Sequence, residues 1–294
     1  MKLKDEIKKY ALEKLDMDYC GIANVERLAG APQGNRPTDL LPGAKSVVVM
    51  AVKLSLGAVQ TVFRAYEDGL RHLQCIYGSY AYSLFPNYYL KFAAYEMARF
   101  LERKGYMSTP VPSGPGSAGA PFSNRHAAVA AGIGTFGWLS IVMTPDYGPR
   151  IRLVSVITRA DIEPDPMLDP IAMCDPVKCG ICINVCPTKA ISPTRYKSVK
   201  MGDREFKYGW VDFPSCEIAT RGLTTKALGL KDIVFPENPT SMDVMKAAEE
   251  QLDPRQRGEV IGGVPAYHCG RCLAYCPVGP KDWLNSVSNL KFNK

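Results

Sequence analysis

Only three histidines, His72, His126 and His268, occur in this chain, which excludes a histidine-rich metal site. There is no apolar run near the ~20 residues needed to cross a bilayer, so no membrane-spanning helix is expected. The first residues, "MKLKDEIKKYALEKL", lack an apolar signal core and a twin-arginine pair, and read as a charged amphipathic helix. A cytoplasmic location is the expectation. Basic residues exceed acidic ones by a net +7, but they are scattered, and nucleic-acid binding would want them clustered. Ten cysteines remain to be explained, and in a reducing cytosol clustered thiols favour metals over disulfides.

Apolar patterning gives a mixed α+β chain. A first helix over 4–15 carries Ile7, Leu12 and Leu15 on one side. "SVVVMAV" (Ser46–Val52) has the length and β-branching of a buried strand. Pro86 opens a long helix that reaches Lys104 and stops at Gly105. A helix, "NRHAAVAAG", a glycine turn, "GIGTFG", and two strands, "WLSIVMT" and "RIRLVSVIT", then follow. The proline-rich "IEPDPMLDP" (Ile162–Pro170) is the expected domain boundary, giving domains 1–165 and 166–294. "PVPSGPGSAGAP" (Pro110–Pro121) has linker composition but lies between two core-like segments, so it is expected to be ordered over a pocket.

Beyond the boundary the cysteines form two knots, "CDPVKCGICINVCP" from Cys174 and "CGRCLAYCP" from Cys269. Each contains Cys-x2-Cys-x3-Cys-Pro, the run of two-cluster ferredoxins, in which the last cysteine ligates the other cluster. Proline there turns the chain away and lets its cysteine cross over. The knots supply seven thiols, and Cys216 in "VDFPSCEIA" is the natural eighth, as two cubanes require. Crossover assigns Cys174, Cys179, Cys182 and Cys276 to one 4Fe–4S cluster and Cys186, Cys216, Cys269 and Cys272 to the other. Four residues separate Cys174 from Cys179 where a ferredoxin has two, which makes Cys174 the weakest member. Zinc held by the two Cys-x2-Cys pairs is the alternative. Cys20 and Cys75 stand alone and read as core thiols.

The segment "RHAAVAAGIGTFGWLSIVMTPDYGPRIRLVSVIT" (Arg125–Thr158), followed by the two knots, resembles the epoxyqueuosine reductase and reductive dehalogenase superfamily. "LPGAKSVVVMAV" and "CGICINVCPTKAI" are similar to the former, and "GIGTFG" with "TPDYGPRIRL" to the latter. The resemblance implies a nitroreductase-like α/β domain that cradles cobalamin, its lower ligand detached, followed by a ferredoxin-like domain with two 4Fe–4S clusters. It implies electrons passing from cluster to cluster to cobalt, with a low-potential donor such as ferredoxin or flavodoxin as partner. Arg125, His126, Gly132, Gly134 and Gly137 are then the candidate cofactor contacts, the glycines because bare backbone can approach a flat ring closely. An ordinary helix-to-strand turn would use the same glycines. The absence of Asp-x-His-x-x-Gly agrees with a corrin that takes no protein histidine.

Epoxyqueuosine reductases carry a proton-donating aspartate shortly before the segment matching "RHAAVAAG". Here that position falls near Ser113, and no Asp or Glu occurs between Met107 and Asn124. A serine hydroxyl is a far weaker acid. The dehalogenases use a tyrosine, and "YGSYAYSLFPNYYLKFAAY" (Tyr77–Tyr95) is rich in them, so Tyr88, Tyr89 and Ser113 are the catalytic candidates. A tyrosine-rich core or interface is the structural alternative. Three functions follow: a cytosolic cobalamin- and iron–sulfur-dependent reductase of unassigned substrate, an electron-transfer protein that reduces a partner, and an epoxyqueuosine reductase. The missing acid counts against the last, and tRNA is not expected as a partner.

Overall fold

The computed structural model describes residues 2–82, 84–113, 120–170, 173–253, 268–281 and 283. Its elements run α1 (Leu3–Lys9, continued by a wider turn over Tyr10–Lys14), β1 (Tyr19–Asn24), α2 (Pro37–Leu40), β2 (Ser46–Lys53), α3 (Leu56–Glu67), α4 (Gln74–Tyr77) and α5 (Leu84–Arg103). They continue with β3 (Ser108–Val111), α6 (Asn124–Ala130), β4 (Thr135–Phe136), β5 (Val142–Met143) and β6 (Ile151–Thr158). The cysteine-bearing part adds α7 (Ile181–Asn184), β7 (Ile191–Met201), β8 (Arg204–Val211), α8 (Phe213–Thr220), α9 (Ser241–Gln251) and α10 (Arg271–Ala274).

A four-stranded antiparallel sheet in the order β1-β2-β6-β3 lies at the centre. Strand β2 is buried on both faces, which is why its sequence is an unbroken apolar run. Val47, Val49 and Ala51 face a core built from α6, while Val48, Met50 and Val52 face one built from α1 and α5. On α5 the inward stripe is Leu90, Ala93, Ala94, Met97 and Leu101, spaced as one face of a helix requires. Each fully buried Val or Leu contributes roughly 1.5–3 kcal/mol. Pro86 lies in the first turn of α5, and beyond its end Gly105 takes the left-handed conformation while Tyr106 N–H bonds back to the Leu101 carbonyl.

The strand expected over "WLSIVMT" is reduced to Val142–Met143, paired with Thr135–Phe136. Ser140 adopts a left-handed φ of 63°, and the turn through Trp138 and Ser140 breaks the extended run. The linker-like stretch begins as strand β3, and Ser113 is buried at 3% exposure, its hydroxyl 3.1 Å from Asn87 Oδ1. Residues 114–119 of that stretch, and with them the expected cover over a pocket, lie outside the described residues.

The boundary expected between residues 165 and 166 does not fall in a gap between two cores. Asp165 accepts from Ile22 N–H and from Lys8, and Arg27 donates to the carbonyls of Asp165 and Ala130. Further on, Met201, Phe206 and Tyr208 of the β7–β8 hairpin belong to the α6 core. Leu273, Ala274, Tyr275 and Trp283 pack with Val59, Val62, Phe63 and Tyr77 from α3 and α4. The cysteine-bearing part is therefore stitched into the sheet domain, through these two cores and through Leu139 and Met143, which pack on the cysteines.

Candidate metal centre

The two knots fold alike. Gly180 and Gly270 each follow a cysteine and adopt φ near +60°, 62° and 63° respectively, a conformation that glycine takes without steric cost. Each then starts a single helical turn, α7 or α10, that carries the next cysteine and ends before Cys-Pro. At Gly270 a side chain would also strike the Tyr77 ring. The short repeat visible in the sequence is thus a repeat of backbone conformation.

Between them the knots gather the thiols in one apolar cluster. Cys174, Cys182, Cys186, Cys216, Cys272 and Cys276 share it with Leu139, Met143, Ala190 and Ile191. Burial pushes the thiol of Cys182 up to about 12, and the neighbouring Cys174, Cys276 and Cys179 add to the effect. Burial likewise raises Cys276 to about 11, with Cys174 and Cys179 as its thiol neighbours. Cys216 rises to about 11 by burial, next to Cys269 and Cys186. Cys272 is raised by burial and faces Cys269, Cys216, Cys182 and Cys186. Cys182 thus lies by Cys174, Cys179 and Cys276, while Cys272 lies by Cys269, Cys216 and Cys186 and also by Cys182. Burial in β1 raises the Cys20 thiol to about 12, whereas Cys75, expected as a core thiol, is exposed on α4.

Backbone donors point at the sulfurs: Trp138 N–H lies 3.3 Å from Cys174 Sγ and Ala190 N–H 3.2 Å from Cys186 Sγ. Such donors favour thiolate, the form that binds metal. Among the described residues no three His, Cys, Asp or Glu side chains close on a single ion. A cubane spreads its four thiolates over four irons and so takes ligands farther apart than one zinc does. The sulfur-only donor set, the N–H donors and the apolar shell fit 4Fe–4S clusters. Cys179 is exposed, beside Val177 at 94% exposure, whereas Cys186 and Cys276 are buried and the other knot thiols and Cys216 are half-buried.

The residues expected to touch a corrin are occupied by protein. A Cβ at Gly132 would run into the Pro166 carbonyl, at Gly134 into the Met143 carbonyl, and at Gly137 into the Met143 side chain. Their bareness serves the close packing of the helix-to-strand turn. His126 Nδ1 is 2.6 Å from Ser123 Oγ and its Nε2 is 3.3 Å from the Tyr208 hydroxyl. Burial pulls that imidazole down to about 4, so it is neutral at ordinary pH. Arg125 donates to the Ser140 carbonyl and hydroxyl and lies over the Tyr208 ring. Arg125, His126 and Gly132 remain partly exposed, while Gly134 and Gly137 are buried.

Of the catalytic candidates, Tyr88 is 66% exposed on α5 with Lys91 above its ring, whereas the Tyr89 hydroxyl donates to the Leu15 carbonyl in the sheet core. Ser113 is tied to Asn87, and the three are not brought to one point. The sequence reading missed Arg150, which is fully buried and bonded to the second knot, and Trp138 and Trp283, which flank the thiols and the Arg150 guanidinium. The signal available was a lone arginine in a turn, "DYGPR", with no pattern to mark it as buried.

No protein-family model matches the chain. Curated relatives are tetrachloroethene reductive dehalogenases: that of Sulfurospirillum multivorans is 29% identical over 125 residues, covering 41% of this chain and 23% of the relative. That of Dehalobacter restrictus is 28% identical over 142 residues, covering 45% and 21%. The match thus spans less than a quarter of these relatives' length. Among solved structures, a selenomethionine-labelled epoxyqueuosine reductase superposes with a TM-score of 0.57 at 18% identity, covering 94% of this chain and 65% of its own. The epoxyqueuosine reductase of Bacillus subtilis gives 0.55 at 17%, covering 99% and 86%. A catabolic reductive dehalogenase in complex with 3-bromo-4-hydroxybenzoic acid gives 0.52 at 16%, covering 94% and 32%. The chain therefore has the fold of the epoxyqueuosine reductases and reductive dehalogenases and shares part of its sequence with the latter, so the resemblance to that superfamily holds in both sequence and fold.

Proposed function

We propose that the chain is an iron–sulfur oxidoreductase with two 4Fe–4S clusters, one on Cys174, Cys179, Cys182 and Cys276 and one on Cys186, Cys216, Cys269 and Cys272. What supports this reading is the gathering of Cys174, Cys182, Cys186, Cys216, Cys272 and Cys276 in one apolar cluster, with backbone N–H groups aimed at Cys174 and Cys186. When bound, such clusters supply one-electron transfer. The chain's own contribution is to bury the sulfurs, aim N–H groups at them and leave Cys179 near the surface, where a low-potential donor such as ferredoxin or flavodoxin could approach. Anaerobic reconstitution followed by iron and sulfide analysis tests it: about eight irons are expected, and stoichiometric zinc without iron would overturn it.

Where the electrons go divides the readings. Reduction of a substrate through bound cobalamin is supported by the fold shared with a reductive dehalogenase described in terms of B12-dependent dehalogenation. Arg125, His126 and Gly132 are the candidate contacts that stay partly exposed, and they would border such a group. Transfer to a partner protein needs no such site. Spectral titration of the reconstituted protein with cobalamin separates the two: binding favours a reductase with its own substrate, and none favours the electron-transfer protein. The likeness to epoxyqueuosine reductases keeps that activity as a further reading, although Ser113, bonded to Asn87, stands where an acid is wanted.

A further inference from the structure

Arg150 is among the largest fully buried side chains of the described residues, with 0% exposure. It leads into β6 from the "DYGPR" turn, where its carbonyl accepts from Leu54 N–H. Among the described residues no carboxylate pairs with it. Its guanidinium instead grips the second knot. Nη1 donates to the carbonyls of Leu273, at 3.0 Å, and Cys276, at 3.1 Å, and Nη2 donates to Val278 at 2.6 Å. Trp283 covers it 4.4 Å from the ring centroid, and the Trp283 indole N–H donates to the Ala274 carbonyl at 2.8 Å.

Two glycines make the fit possible. A side chain at Gly148 would strike the Val278 carbonyl, and one at Gly279, where φ is +135°, would meet Arg150 Nη2. The "DYGPR" turn of the sheet domain and the "CPVGP" turn of the second knot are thus built as a matched pair around one cation. A guanidinium fork suits this task because its donors are rigid and coplanar. Burying a charge without a counter-charge is expensive unless something nearby compensates it. The turn that Arg150 grips carries the Cys276 thiol, which becomes anionic when it binds metal.

We propose that Arg150 is the positioning residue for the cluster of Cys174, Cys179, Cys182 and Cys276, an inference that rests on the two-cluster reading. By fixing the Cys276 turn it holds the crossing thiol toward the first knot, which lies far away in sequence. Its charge also stabilises the more negative, reduced form of that cluster and raises its midpoint potential, because a fixed charge is poorly screened in an apolar interior.

The test uses the full chain, reconstituted anaerobically, as wild type and as Arg150→Gln, Arg150→Lys and Gly279→Ala. Iron content, iron loss to a chelator, and potentiometric titration followed by electron paramagnetic resonance are the readouts. Arg150→Gln is expected to lower the midpoint potential of one cluster, the one that Cys276→Ser disturbs, and to leave the other unchanged. Arg150→Lys keeps the charge and should hold the potential closer to wild type while releasing that cluster's iron several-fold faster. Gly279→Ala keeps Arg150 itself but crowds its fork and the Tyr147 backbone beside it, so faster iron release with little change of potential is expected. Equal shifts in both clusters, or no shift with wild-type iron retention, would overturn the proposal. Should the Arg150 variants not fold, wild-type iron retention in Gly279→Ala overturns it and faster release supports it. A wild type that takes up no iron defeats the two-cluster reading itself, a result distinguishable from any of these.

Discussion

Lys8 Nζ lies 2.8 Å from Asp165 Oδ1, tying the first helix to the segment that leaves the sheet domain. Lys4 adds a second contact at 2.9 Å and Ile22 N–H a third at 2.9 Å. Burial opposes ionisation of Asp165, but these donors outweigh it and hold the carboxyl below its usual range. A lowered folded pKa means stability that is present above the unfolded value near 3.9 and lost as pH falls through the folded one. Asp165→Asn should therefore cost about 1 kcal/mol at neutral pH, discounted for solvent screening, with the difference from wild type vanishing in strong acid. Denaturant titrations at neutral and acid pH check this, and a pH-independent difference would refute it.

Cys276→Ser is expected to disturb the cluster otherwise held by the first knot, and Cys216→Ser the one otherwise held by the second. The thiol neighbours of Cys276 are Cys174 and Cys179, and those of Cys216 are Cys269 and Cys186. Iron analysis and electron paramagnetic resonance of each variant decide it. Loss of the same cluster in both variants would contradict the quartets.

That grouping is read from the sequence, where cysteine spacing, the Cys-Pro ends and the lone Cys216 are chemical information in themselves, and the fold brings six of these thiols into one apolar cluster. The strand at Ser46, the helix through Pro86 and the strand at Ile151 were legible because apolar runs and Pro/Gly punctuation reflect local physics. The β7–β8 hairpin was not. Its outward positions are polar, and its inward Phe206 and Tyr208 are buried because Phe136 of β4, with His126 of α6, packs against them, a tertiary fact. The glycines at 132, 134 and 137 were read as approaches to a cofactor, and sequence cannot tell a bare face turned to a ligand from one turned to the Pro166 or Met143 carbonyl.

His126 should remain neutral from pH 8 down to about 5. Burial is the main cause of its low pKa, about 4, with Arg125 and Lys197 adding to it. An unfolded histidine titrates near 6.5, so the unfolded chain takes up a proton first as pH falls. Stability from this group is present at neutral pH and declines between about 6.5 and 4, by roughly 3 kcal/mol in total. Imidazole chemical shifts followed by nuclear magnetic resonance give the folded value directly. A midpoint near 6.5 would show that the ring is not enclosed between Phe136 and Tyr208 as its contacts indicate.

Tyr88 and Tyr89 are neighbours in sequence with opposite surroundings, and their variants should separate accordingly. Tyr89→Phe removes the bond to the Leu15 carbonyl and should cost about 1 kcal/mol of stability. Tyr88→Phe should leave stability unchanged, because its ring is largely exposed on α5. A loss of reductase activity in Tyr88→Phe at unchanged stability would assign that tyrosine to the chemistry. Thermal unfolding of both variants, measured beside activity, reads the difference.

The fragment 1–165 is expected not to fold independently, although a proline-rich segment at its end reads as a boundary. One face of β2 packs on a core that Met201, Phe206 and Tyr208 help to close, so their removal would uncover Phe136 and the alanines of α6. Likewise, α3 buries Val59, Val62 and Phe63 against Leu273, Tyr275 and Trp283. Exposing so much contiguous apolar surface would favour aggregation over a native monomer. The Arg150 guanidinium would also lose the three carbonyls that receive its donors, leaving a charge in an apolar site. Heteronuclear spectra and sedimentation of the isolated fragment are the measurement. A dispersed, monomeric spectrum would show that the sheet domain closes its own core, and the hairpin and second knot would then be mere neighbours. Broad lines and association, with order restored on adding residues 166–294 in trans, would show that the two parts form one folding unit.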